Sequence, residues 1–122
     1  MSKPETLREI LRDKDLASLG DAYVNFVYSL ALTETSRRPR ATKVSDRILA
    51  DAFRLAGLRN YLGTRVAKKD LANACESLLA AAYLNGQLAI QESVKILSQH
   101  PAGPALGLAD LLKLAAERLG PE

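Results

Sequence analysis

Leu16-Ala17-Ser18-Leu19-Gly20-Asp21-Ala22 and Asn73-Ala74-Cys75-Glu76-Ser77-Leu78-Leu79-Ala80-Ala81-Ala82-Tyr83-Leu84 are two apolar helical patterns, and each carries one acidic side chain. Apolar residues recur around both stretches with the 3.6-residue period of a helix, and period-2 alternation appears nowhere in the chain. A carboxylate set beside a core is costly unless positive charge compensates it. For Asp21 and Glu76, 55 positions apart, a shared divalent cation is one such compensation. For Glu76 an ion pair with an arginine is the other.

The first stretch belongs to a long helix from Asp15 or Leu16 to about Thr35. Leu16, Leu19, Tyr23, Phe26, Val27 and Leu30 form its apolar face, which Val24, Tyr28 and Ala31 widen. A helix apolar on more than one side is either central in its core or half covered by a partner subunit. Gly20 carries two readings of its own: it lets another helix approach closely, or it breaks the helix and leaves Asp21 as an N-cap. The second stretch belongs to a helix with Asp70 as its expected N-cap and Gly86 as its end.

Punctuation residues divide the remainder. Pro4 suits the start of a short helix at 5–12. Ser36-Arg37-Arg38-Pro39-Arg40 reads as a basic loop, and Ser45 caps a helix that Gly57 closes. Residues 57–69 read as a linker with one helical turn. A helix over 87–98, the breakers Pro101, Gly103 and Pro104, and a last helix near 105–119 complete an all-α single domain of five or six helices.

The chain has 122 residues, enough for one sizeable core, and leaves no room for a second folded module such as a separate double-stranded-RNA-binding domain. Its single cysteine, Cys75, excludes an internal disulfide framework and a cysteine-rich zinc site. Neither a signal peptide nor a spanning apolar run is visible, so a soluble cytoplasmic protein without membrane contact is expected. The net charge of +3 hides a segregation: ten Lys or Arg residues lie between Arg37 and Lys69 against Asp46 and Asp51. That local excess of +8 leaves −5 elsewhere. It suits either a phosphate-binding face or a set of solvated helix faces. With only Phe53 and Tyr61 in this segment, duplex backbone is the better polyanion than stacked single strand. His100 is the only histidine and lies beside Pro101, which leaves little basis for nucleophilic catalysis of the serine or cysteine type.

Taken together, and in this order, the two acidic stretches resemble the ribonuclease III catalytic domain, over roughly residues 15–97. That family carries a Leu-Glu-Phe-Leu-Gly-Asp-Ala type motif, followed by an Asp-x-x-Glu-Ala-Leu-x-Gly-Ala-x-Tyr-Leu type motif. The smaller Mini-ribonuclease III and archaeal ribonuclease III-like proteins look most similar. The resemblance implies a Mg²⁺-dependent endoribonuclease acting on double-stranded or structured RNA, with Mn²⁺ able to substitute. Asp21 and Glu76 then fall on catalytic, metal-holding positions. Ala17 and Asn73 stand where the family usually has carboxylates; alanine has no donor, and Asn73 offers only a neutral oxygen. Arg37, Arg38, Arg40, Lys43, Lys68 and Lys69 would contact the RNA backbone. The resemblance further implies a homodimer through the first long helix, for which Gly20, Val24, Val27, Tyr28 and Ala31 are the expected interface. A catalytically idle RNA-binding or ribonucleoprotein component with the same fold is the alternative reading.

Overall fold

Eleven side chains of one helix, from Leu71 to Ala82, are buried, and the rest of the molecule is arranged around it. The computed structural model describes residues 6–120, all of whose regular structure is helical. In chain order the helices are α1 (Leu7–Leu11), α2 (Lys14–Ser36), α3 (Asp46–Leu55), α4 (Lys68–Leu84), α5 (Ile90–Ser98) and α6 (Pro104–Leu119), with a 3-10 turn at Arg59–Leu62. Helix α4 is the central one. It packs against α1, α2, α3 and α6, while α5 leans on α2 and α6. The run Ala80-Ala81-Ala82, fully buried, explains how so many neighbours fit: small side chains let surrounding helices approach from several sides.

Local chemistry sets most of the boundaries. Asp13 accepts the amide of Leu16 at 2.9 Å and starts α2 one or two residues earlier than its apolar pattern alone suggests. Ser45 caps α3 through the amide of Ile48, as expected. Gly57 and Gly86 follow α3 and α4 with φ of 77° and 72°, a conformation glycine adopts without strain. Asp70 does cap α4, but from inside the helix: its carboxylate accepts the amide of Ala67, so α4 begins at Lys68. Lys68 and Lys69 are therefore helical residues and not part of a linker. Helix α5 begins only at Ile90, after an irregular stretch in which Leu88 is buried. Helix α1 is shorter than expected, and Pro4 and Glu5 lie outside the described residues.

Helix α2 runs unbroken through Gly20, which rules out Asp21 as an N-cap. A Cβ on Gly20 would lie 1.9 Å from the backbone oxygen of Glu76. Glycine is thus required here because α2 crosses α4 in backbone contact. Val24 and Val27 are fully buried and Ala31 nearly so, all within this chain's own core. Gly20, Val24, Val27 and Ala31 are consequently not a surface for a second subunit, and Tyr28 is half-buried against the same core. The outward apolar stripe of α2 is instead Leu19, Ala22 and Phe26, at the i, i+3, i+7 spacing of one helix face.

Candidate active site

The close crossing at Gly20 brings the next residue of α2, Asp21, against Glu76 on α4, near enough for each carboxyl group to shift the other's proton affinity. Glu76 is 4% exposed. Burial, followed by the hydrogen bond and charge of Asp21, pushes its pKa up to about 8, so near neutral pH it holds a proton. Asp21 is held below the usual carboxylate range, first by its hydrogen bond with Glu76 and then by Lys43. Among the described residues no arginine is found paired with Glu76; where an ion pair was the expected alternative compensation, the neighbouring carboxyl group of Asp21 stands instead.

Above the pair opens a cleft of about 680 Å³, lined by residues of α2, the 43–46 segment and α4. Ala17 and Asn73 face it, as do Lys14, Lys43, Asp46 and Lys69. Lys43 Nζ lies 3.2 Å from Asp21 Oδ1, and Lys69 Nζ lies 3.3 Å from Asp46 Oδ2. Asn25, one turn beyond Asp21, donates to its Oδ1 at 3.2 Å and so helps aim the carboxylate.

The 40–44 segment reaches the cleft because α2 holds it in an extended path. Thr33 both accepts from the amide of Arg40 and donates to its carbonyl, and Ser29 does the same for Thr42. Asn25 accepts from the amide of Val44 at 2.7 Å. Four helical residues rise about 6 Å and two extended residues about 6.6 Å, so positions 25, 29 and 33 keep step with 44, 42 and 40. The helix acts through its side chains as a neighbouring strand.

Only some of the expected site residues meet. Asp21, Glu76, Asn73, Lys43 and Lys69 share the cleft; Lys68 is exposed outside its lining. Arg37, with φ of 61° at the end of α2, lies about 24 Å along the helix from Asp21, and Arg38 and Arg40 occupy the exposed loop beyond it. Asp46, Lys14 and Ser18 also line the cleft, although nothing in the sequence singles them out. In the sequence Asp46 is an ordinary first-turn acid after the Ser45 cap, and only the fold turns it inward. His100 pairs with Asp110 of α6 at 2.9 Å, outside the cleft.

Asp21, Glu76 and Asn73 present oxygen donors, which suits a hard cation such as Mg²⁺ or Mn²⁺. Among the described residues no three His, Cys, Asp or Glu side chains converge as a ready-made metal cage. The Lys43 amine already rests on Asp21, so the donor set fits a cation that exchanges with that amine and keeps much of its water.

A family model described as ribonuclease III matches residues 14–118. The chain belongs to the ribonuclease III family. The match takes in α2 through almost all of α6, and so includes both acidic helices of the cleft. Membership points to an RNA-cleaving function and, with it, to a divalent metal and double-stranded RNA. A comparison with curated proteins finds no match. Among the described residues no helix is long and apolar enough to cross a membrane.

Proposed function

We propose that this ribonuclease III domain is a Mg²⁺-dependent endoribonuclease that hydrolyses phosphodiesters in double-stranded or structured RNA as a cytoplasmic homodimer. The observation that carries the reading is the Asp21–Glu76 pair, pressed together by the Gly20 crossing at the base of an open, lysine-bordered cleft. Asp21 and Glu76 would hold the ion, with Asn73 as a neutral third oxygen donor. A bound divalent ion supplies an activated water and stabilises charge developing on phosphate oxygens. Glu76 must give up its proton for that role. Asp21, already ionised and aimed by Asn25, is ready for it.

Arg37, Arg38, Arg40, Lys43, Lys68 and Lys69 contact the sugar-phosphate backbone in this reading. Such contacts position a duplex without reading its sequence. The dimer forms through Leu19, Ala22 and Phe26 on the outward stripe of α2, with Tyr83 beside it through its ring contact with Tyr23.

Ala17 and Asn73, uncharged and facing the cleft, favour the second reading, an idle RNA-binding component with the same fold. Cleavage of a long labelled RNA duplex with Mg²⁺ or Mn²⁺ separates the two. The expected outcome is cutting by the wild type and loss of at least about 100-fold in Asp21→Asn and in Glu76→Gln, the scale of removing a group that stabilises transition-state charge. Tight duplex binding without cutting under either metal moves the assignment to the idle component.

A further inference from the structure

The cleft holds more cationic side chains than its acid pair needs. Lys43 and Lys69 enter from different walls, one from the extended segment and the other from the first turn of α4, and Lys14 lies on the α2 wall. Each of the first two rests on an aspartate, Asp21 or Asp46, at 3.2 and 3.3 Å. The lysine side chains are 73% and 66% exposed. Ion pairs this exposed are weak, so exchanging the aspartate for another anion costs little.

Both amines are nonetheless delivered by well-fixed backbone. The Asn25, Ser29 and Thr33 contacts hold the segment bearing Lys43, and the Asp70 contact to Ala67 fixes the turn bearing Lys69. Ala17 and Asn73 add no charge between them, so three amines face only two accessible carboxylates, with Glu76 buried beneath. An ammonium is a compact point charge on a flexible stem, suited to following a phosphate oxygen.

We propose that Lys43 and Lys69 form a two-sided clamp on the reacting phosphodiester itself, each moving its amine from its aspartate to a phosphate oxygen when RNA enters the cleft. This rests on the RNA-cleaving reading and separates these two lysines from Arg37, Arg38 and Arg40, which lie beyond the cleft and grip the flanking duplex. The aspartates then act as resting partners that keep the amines in place before substrate arrives. Asp46 restrains Lys69, so its removal should favour RNA binding.

The test measures binding of a short RNA duplex in chelator and its cleavage with Mg²⁺. Lys43→Gln and Lys69→Gln are each expected to weaken metal-free binding several-fold and to reduce the slope of log affinity against log salt by about 0.7–0.9, the value of one phosphate contact. In cleavage they should lower kcat by at least about tenfold, while the triple Arg37, Arg38, Arg40→Gln variant acts mainly on KM. Asp46→Asn should tighten metal-free binding, the opposite sign from a residue that only stabilises the fold. Wild-type affinity, salt slope and kcat in both lysine variants would overturn the clamp and leave the nuclease reading intact. A wild type that never cuts, with binding weakened in both lysine variants, would leave Lys43 and Lys69 as phosphate contacts only and overturn both the nuclease and the clamp on a reacting phosphodiester.

Discussion

Glu76 retains a proton into the neutral range because α4 buries it and α2 sets a second carboxyl group against it. Its pKa in the folded chain, about 8, lies above the ordinary 4.5. The stability linked to it is therefore fully present below about pH 4.5 and is lost as pH rises through 8. Asp21 moves the other way; its contribution is present above its ordinary 3.8 and is lost only as pH falls through its lowered folded value. Stability should peak in the mildly acidic range and fall by about 2–4 kcal/mol between about pH 5 and pH 9, at roughly 1.4 kcal/mol for each tenfold difference in proton affinity between the folded and unfolded chain. Glu76→Gln, which cannot ionise, is expected to flatten this fall in denaturant melts at successive pH values. An unchanged slope in the variant would show that Glu76 is not the group responsible. Mg²⁺ or Mn²⁺ should raise wild-type stability more in mildly alkaline than in mildly acidic buffer, because cation and proton compete for the same oxygens.

Among the elements, the hydrogen-bond ladder between α2 and the 40–44 segment makes the cleft's third wall. Removing its Ser29 and Thr33 rungs with Ser29→Ala and Thr33→Val deletes the hydrogen bonds to both Thr42 and Arg40 and should cost about 2–6 kcal/mol in total, at about 0.5–1.5 kcal/mol for each of the four. The amides of Arg40 and Thr42 should exchange at least about tenfold faster, while helical amides of α4 keep their protection. Undiminished protection would mean that the segment is held by Val44 in the core and not by the ladder. This wall is the part least legible in the sequence. Asn25, Ser29 and Thr33 at i, i+4, i+8 look like a solvated helix face, and their partners 40, 42 and 44 have no apolar period to mark an extended segment. The helices are legible because burial imposes their period and because Ser45, Gly57 and Gly86 punctuate them by local chemistry. Asp70 misleads by one turn: an acid at N3 that reaches back to the N-cap amide carries the same letters as an acid at the N-cap. Asp21 and Glu76 stand out as charges among apolar neighbours, whereas Asp46 and Lys14 are surface-type residues that only tertiary structure turns toward one cleft.

Across the molecule, α2 divides its apolar residues between two uses. Val24, Val27 and Ala31 fill the chain's own core, and the backbone contact at Gly20 takes the space beside Glu76, so the widened apolar surface is largely consumed internally. What remains outward is Leu19 at 44% and Phe26 at 54% exposed, with Ala22 between them. A second copy packing its α2 on this stripe forms a self-complementary two-fold contact in which each residue meets its own counterpart or a near neighbour. Wild type is then expected to sediment at twice the 13.2 kDa chain mass. Phe26→Glu, placing like charges across the axis, should yield a monomer with unchanged helix content, since an exposed side chain contributes little to its own core. Asp21 and Glu76 come from one chain, so the monomer should keep the pH and cation responses of the pair. With only one cleft per particle, it should nick duplex RNA where the dimer cuts both strands. A wild type that sediments as a single chain and still cuts both strands would remove the stripe, and the paired arrangement with it, from the mechanism.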